Sequence, residues 1–272
     1  MKKKIKINFS DFWGGFNPYD NYFYNLLKDE FDIEISPNPD YLFYSVFGKN
    51  HQRYNCKKIF YTGENLPVCS YSDYSFTFEP TSGSNYQLKH YLLYDGYYDL
   101  VNKKVDESLL NRKFCNFVVS NGNCSERNEF FEKISKYKKV DSGGRWLNNI
   151  GYPVSDKRKF QSEYKFSIAF ENNAYRPGHE WYITEKIMEP MTVNSIPIYK
   201  GASKVNEDFN QESFVNCHNF SSLDDVIDFV LELDKNDDKY LEMLNKPWFT
   251  DYKIPDNNKI ENIKSFLYKI FK

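Results

Sequence analysis

An excess of charge of either sign is the first thing this chain lacks: 36 Lys+Arg stand against 38 Asp+Glu in 272 residues, a formal net charge of −2. Without a basic excess there is no electrostatic case for a nucleic-acid partner. Cysteine is also sparse. Cys56, Cys69, Cys115, Cys124 and Cys217 are odd in number and never in CxxC spacing. That argues against a zinc site or a disulfide scaffold and points to a reducing compartment. No apolar run approaches the roughly 20 residues that span a bilayer. The opening Met-Lys-Lys-Lys leads into Ile5-Lys6-Ile7-Asn8-Phe9, which alternates like a strand and has no apolar core of a signal peptide. The expectation is a soluble, cytoplasmic, anchorless protein. Neither an Asp-x-Asp pair nor a formal phosphate loop occurs, and no essential metal or cofactor is expected.

What is present is aromatic. Tyr and Phe number 23 and 24, and aromatics make up 19% of the chain, a supply that suits sugar stacking and cores alike. A length of 272 residues accommodates two modest domains or one large one.

The organising stretch runs from Lys165 to Gly201. Phe166, Ile168 and Phe170 alternate with small or polar residues and stop at Glu171-Asn172-Asn173. Thr184 is a predicted N-cap, with Glu185 and Lys186 in the first helical turn. Pro190 requires that helix to be short or kinked. Ile196 to Tyr199 then returns as a buried strand. Strand, helix and strand make a βαβ unit, and open parallel sheets bind ligands at the carboxyl ends of their strands. A helix start offers free N–H groups to phosphate, and Lys186 adds a point charge. The same residues also read as a solvated first turn.

Earlier in the chain, Ile5–Phe9, 32–36, 41–47, 58–62 and 73–78 are predicted strands, and Tyr22 to Phe31 a helix. The first strand ends in Asp11-Phe12-Trp13-Gly14-Gly15, where Trp13 either floors a sugar pocket or plugs the loop. The fourth ends in Gly63-Glu64-Asn65, a carboxylate at a strand end that also suits a plain turn. Tyr91, Tyr94, Tyr97 and Tyr98 suit either glycan stacking or packing. A polar linker is expected over 101–112. Beyond it, 116–119 is a strand, Arg127 lies in the first turn of a helix, and Gly143-Gly144 closes another strand. Arg127 is either an exposed helix residue or a bidentate anion ligand. Ser222 to Leu233 is a helix. In the tail, Ile260, Ile263, Leu267, Ile270 and Phe271 form one helical stripe that either packs on the first domain or lies on an anionic membrane surface.

Several of these segments are similar, in collinear order, to the α1,3/α1,4-fucosyltransferases, the family-10 glycosyltransferases. They are Tyr61-Thr62-Gly63-Glu64-Asn65 with Ser72-Asp73-Tyr74, Val118-Val119-Ser120-Asn121 with Arg127, Val140-Asp141-Ser142-Gly143-Gly144, Phe170-Glu171-Asn172, Tyr182-Ile183-Thr184-Glu185-Lys186 and Ile196-Pro197-Ile198-Tyr199-Lys200-Gly201. The resemblance covers most of residues 59–220. It implies an α/β chain of GT-B type, two Rossmann-like domains facing a central cleft. The boundaries it suggests are an acceptor-binding domain over 1–112, a donor-binding domain over 113–252 and a C-terminal helix over 253–272 that packs back on the first domain.

The resemblance further implies inverting transfer of L-fucose from GDP-β-L-fucose to an acceptor glycan. Glu64 would be the general base, and Arg127 with Lys186 would stabilise the departing diphosphate. Glu185 would accept from ribose hydroxyls. Asn172, Tyr182, Ser120, Asn121 and Gly144 would line the donor site, and Trp13 and Asp73 the acceptor site. The chain departs from the family in three places: a longer loop from Asn173 to Trp181, Lys200 where tryptophan is usual, and Pro190. The alternatives are the same scaffold with another nucleotide sugar, or a non-catalytic glycan- or nucleotide-binding protein.

Overall fold

The computed structural model describes residues 2–172 and 180–272. The long loop singled out in the sequence lies mostly outside them. The chain divides into two compact units, one of residues 1–93 with 256–272 and one of residues 94–255.

The first unit is a six-stranded parallel sheet in the order β2-β1-β3-β4-β5-β6. The strands are β1 (Lys3–Ser10), β2 (Phe31–Ile35), β3 (Tyr41–Tyr44), β4 (Lys57–Tyr61), β5 (Tyr74–Thr77) and β6 (Asn85–Gln87). In β1, Ile5 and Ile7 are buried while Lys4 and Lys6 are exposed, the period-2 signal visible in the sequence. Helix α1 (Tyr22–Leu27) is shorter than expected. Asn21 caps it by accepting the Tyr24 N–H at 3.0 Å, and the chain is extended again by Phe31, which opens β2. The helical spacing of Phe31 was coincidence, since its ring is needed by the sheet.

The second unit is a five-stranded parallel sheet in the order β11-β10-β9-β7-β8. Its strands are β7 (Lys113–Phe117), β8 (Val140–Ser142), β9 (Tyr164–Phe170), β10 (Ile196–Lys200) and β11 (Val215–Asn216). Every residue of the central strand β9 is buried, as expected for a parallel strand covered on both faces. The helices are α2 (Ser125–Ser135), α3 (Lys157–Gln161), α4 (Glu185–Thr192), α5 (Leu223–Lys235) and α6 (Asp237–Asn245). Pro190 lies inside α4, which spans only 8 residues.

Residues 94–112 group with the second unit, so its boundary precedes the one expected at 112. The reason is local bonding. Arg112 Nη1 donates to the carbonyls of Val193 and Asn194, both at 2.8 Å. Lys103 Nζ donates to the Lys246 carbonyl at 2.7 Å and lies over the Trp248 ring.

The last helix, α7 (Ile260–Ile270), belongs to the first unit. Phe271 packs on Phe31, Tyr41 and Phe43, and Phe266 on Phe76 and Tyr86. Lys3 Nζ donates to the Phe271 carbonyl at 2.7 Å. The apolar stripe considered for a membrane surface is therefore occupied inside this unit, with Ile263, Leu267, Ile270 and Phe271 all buried. Among the described residues no helix is long and apolar enough to cross a membrane.

Candidate active site

The carboxyl edge of the second sheet gathers most of the residues that the sequence resemblance assigned to a donor site. Arg127, in the first turn of α2, is 1% exposed. Its Nη1 donates to Asn172 Oδ1 at 2.5 Å and to the Phe170 carbonyl at 3.3 Å, and its Nη2 donates to the Asn121 carbonyl at 2.5 Å. One guanidinium thus ties the loop after β7 to the end of β9. Burial pulls its pKa below the usual arginine value. Neither open reading of Arg127 describes this geometry, because the side chain is internal and already has three protein acceptors.

One residue along, Glu171 has a fully buried carboxylate. Thr184 donates to it twice, through N to Oε1 and through Oγ1 to Oε2, each at 2.7 Å. Thr184 also caps α4 as expected, its hydroxyl accepting the Lys186 N–H. Lys186 Nζ lies 3.4 Å from Glu171 Oε2 and 3.3 Å from Glu185 Oε1, and donates to Thr184 Oγ1 at 3.0 Å. Burial raises the pKa of Glu171 against the pull of Lys186. Burial also works against the charge on Lys186, but the Glu171 and Glu185 carboxylates outweigh it and hold its pKa above the ordinary lysine value. The ammonium is a charged group held between two acids at a helix start.

Glycine fixes the neighbouring loops. A Cβ on Gly144 would stand 1.9 Å from the Val119 carbonyl oxygen, so the loop after β8 presses backbone to backbone on the loop after β7. Trp146 Nε1 donates to Asn128 Oδ1 at 3.2 Å, and its ring covers Gly122. Ser120 and Asn121 are exposed on that edge, and Asn121 Oδ1 accepts the Asn123 N–H. Tyr182 is buried. Lys200 forms a short ion pair with Glu126 of α2.

Two groups here escaped the sequence. Glu171 stood out only as one polar residue among several, yet it anchors the α4 cap. Tyr94 is close enough to Glu185 and Glu189 for burial, then those carboxylates, to push its phenol up to about 12. Nothing in the linear order places it beside α4.

In the first unit, Glu64 follows β4 and is exposed. The Thr62 hydroxyl accepts the Glu64 N–H and donates to the Glu64 carbonyl, both at 3.0 Å, so the turn is fixed through the backbone. A Cβ on Gly63 would stand 3.1 Å from His90. Trp13 is 46% exposed on the loop after β1. Its neighbour Phe12 stacks on Tyr61, the last residue of β4, at 6.1 Å. Trp13 and Glu64 therefore share one strand edge. Asp73 does not join them. Its Oδ2 accepts the Lys58 N–H at 2.7 Å, at the start of β4, the opposite end of the strand from Glu64. Tyr91 is packed, accepting from Asn258 Nδ2 at 2.6 Å. Among the described residues no cluster of three or more His, Cys, Asp or Glu side chains is placed to hold a metal ion.

Comparison with known proteins gives a consistent picture. A family model described as glycosyltransferase family 10 (fucosyltransferase) C-term matches residues 110–268, and one described as alpha-(1,3)-fucosyltransferase FucT N-terminal domain matches residues 7–97. The alpha-(1,3)-fucosyltransferase FucT of Helicobacter pylori is 32% identical over 287 residues, covering 88% of this chain and 59% of its own length. A GDP-fucose protein O-fucosyltransferase 3 of Xenopus laevis is 33% identical over 132 residues, covering 44% of this chain and 27% of its own. This chain thus spans less than two thirds of each of these relatives. A crystal structure of an alpha1,3-fucosyltransferase with GDP-fucose superposes with a TM-score of 0.82 at 27% identity, covering 100% of this chain and 91% of that one. Another crystal structure of alpha1,3-fucosyltransferase gives 0.85 at 26% identity, covering 99% of this chain and 90% of that one.

Proposed function

The chain belongs to glycosyltransferase family 10, the fucosyltransferases, and from that premise we propose that it moves L-fucose from GDP-β-L-fucose to a hydroxyl, O3 of GlcNAc or Glc, of an acceptor glycan. The reaction inverts the anomeric centre. Glu64 takes the proton from the acceptor hydroxyl as its oxygen attacks the anomeric carbon, and the bond to the GDP oxygen breaks. A carboxylate at hydrogen-bond reach serves this role, typically contributing about 10²–10⁴-fold. The exposure of Glu64 on a backbone-fixed turn supports it.

The observation that carries the donor half is the linked run Phe170-Glu171-Asn172. Arg127 holds it from one side and Lys186 from the other. Arg127 acts by fixing Asn172 and the Asn121 loop, and by its buried charge. Lys186 and the first N–H groups of α4 meet the developing negative charge of the diphosphate, a role that requires no metal. Glu185 accepts from the ribose hydroxyls.

Thermal shift with GDP, UDP, CMP, GDP-fucose and GDP-mannose tests this half. A ligand present at about 100 times its Kd adds about 2.7 kcal/mol, and selective stabilisation by GDP and GDP-fucose is expected. Response to UDP alone would break the fucose reading. Glu64→Gln should lower kcat by about 10²-fold or more with GDP affinity intact; wild-type turnover would remove Glu64 as base. Activity lost in EDTA and restored by Mn²⁺ would contradict the metal-free route.

A second reading, the same scaffold with another nucleotide sugar, is favoured by Lys200. Its pairing with Glu126 puts charge where the family form carries tryptophan.

A further inference from the structure

At the carboxyl edge of the first sheet, an Asp–His pair stands outside the site described above. Asp11 directly follows β1, and its side chain is fully buried. It accepts the Asn50 N–H at 2.9 Å, the His51 N–H at 2.8 Å and His51 Nδ1 at 2.7 Å. The backbone is shaped for this. Asp11 sits at φ 58, a region non-glycine residues seldom occupy. A Cβ on Gly48 would stand 2.4 Å from Asp11 Oδ1.

The two backbone bonds cap the 3₁₀ turn Asn50–Arg53, and a plain structural role for Asp11 would end there. The third bond goes to the imidazole and does something different. In the tautomer that donates Nδ1–H to the carboxylate, Nε2 is left as an acceptor, and Nε2 has no hydrogen-bond partner among the described residues. One face of the ring stacks on Tyr44 at 4.3 Å and 24°, and the side chain remains 20% exposed. Tyr44 ends β3, and β3 pairs with β4, Tyr44 opposite Phe60; Glu64 follows the end of β4. His51 and Glu64 thus overhang adjacent strand ends, about 4.8 Å apart per strand.

The same clamped turn walls a cavity of about 710 Å³ lined by Ser10, Asn38, Asn50, Arg53 and Tyr54 among others. Hydroxyl, amide, guanidinium and phenol groups together suit a hydroxyl-rich ligand.

We propose that His51, oriented by Asp11, is an acceptor-binding residue whose Nε2 accepts a hydrogen bond from a glycan hydroxyl, and that the neighbouring cavity holds a further sugar of that glycan. The proposal rests on the reading that the first unit takes the acceptor. Asp11 is a positioning residue in it.

The test compares wild type, His51→Ala, His51→Gln and His51→Phe with N-acetyllactosamine as acceptor. The readouts are acceptor KM, the Kd for GDP and Tm. The expected result is a tenfold or greater rise in acceptor KM for His51→Ala with GDP binding unchanged, alongside a lower Tm because the buried Asp11 carboxylate loses one of its donors. His51→Gln, which keeps a side-chain acceptor, should recover much of the loss. His51→Phe removes both ring nitrogens but keeps the stack on Tyr44 that the alanine variant loses, so it reports even if the alanine variant does not fold. Unchanged acceptor KM in a folded variant, or a loss of GDP binding that parallels the rise in acceptor KM, would overturn the proposal.

If wild type transfers no fucose at all, the proposed activity fails instead, and saturation-transfer NMR of the same disaccharide decides this point alone. Signal in wild type but not in His51→Phe upholds the role of His51. Equal signals, or none from wild type, overturn it.

Discussion

Arg127 and Asn172 are joined by a 2.5 Å hydrogen bond, Nη1 to Oδ1, inside the second unit. The same guanidinium also serves the Phe170 and Asn121 carbonyls, so its fork geometry matters as much as its charge.

Arg127→Lys keeps the charge and removes the fork. An ammonium on a flexible stem cannot reach all three acceptors, and each buried acceptor left without a donor costs about 1–3 kcal/mol. The expected outcome is a stability loss of about 2 kcal/mol and GDP binding weaker by tenfold or more, read by chemical denaturation and calorimetry. Wild-type GDP affinity in a folded Arg127→Lys protein would show that the tie does not shape the donor edge.

Two glycines on that edge should respond differently to alanine. The Cβ of Gly144→Ala would meet backbone, with Val119 O at 1.9 Å and Val119 N at 2.5 Å. Two loop backbones already in contact cannot step aside cheaply, so the loss should be about 3 kcal/mol or more. The three atoms nearest the Cβ of Gly122→Ala all belong to the Trp146 ring, a side chain that is 42% exposed. Its cost should be about 1 kcal/mol, the value of the lost Trp146–Asn128 hydrogen bond. Equal losses would show that Trp146 is as fixed as backbone.

Tyr94 supplies a pH signature. Its phenol is held neutral up to about 12, against an ordinary value of 10.0, by burial first and by Glu185 and Glu189 second. Between pH 10 and 12 the unfolded chain loses this proton before the folded one does, so stability falls as pH rises through that window. Tyr94→Phe removes that contribution. The stability difference between wild type and variant should shrink steadily from pH 10 to 12. A difference independent of pH would place Tyr94 away from the α4 acids.

The sequence made the βαβ unit around β9 and α4 readable because each of its signals is local: alternation in Phe166–Phe170, the Thr184 cap and the terminating effect of Pro190. What it missed depends on partners distant along the chain. Asp73 looked like a site residue in its motif, but only pairing of β4 with β5 reveals that its carboxylate is taken by the Lys58 N–H. Strand β6 is three residues, Asn85–Gln87, too short and polar to alternate visibly. Arg127 could be placed in the first turn of its helix from the sequence, whereas its burial and three protein acceptors are products of tertiary structure. Glu64, on a turn closed by its own neighbour Thr62, was the easiest to place.

The assignment of α7 to the first unit has a consequence for biosynthesis. The second unit is one uninterrupted run, residues 94–255, whereas the first waits for residues 256–272 to bring the rings of Phe266 and Phe271 onto its sheet. Domains usually mature on the ribosome from the amino-terminal end. Here the order should be reversed, with the later-made half protease-resistant while the earlier-made half is still cleavable. Nascent chains stalled so that only residues up to Pro255 have emerged would reveal this directly, as a protected core containing β7 to β11 and a digested one containing β1 to β6. Resistance of both halves at that length would mean that the first sheet matures without its final helix.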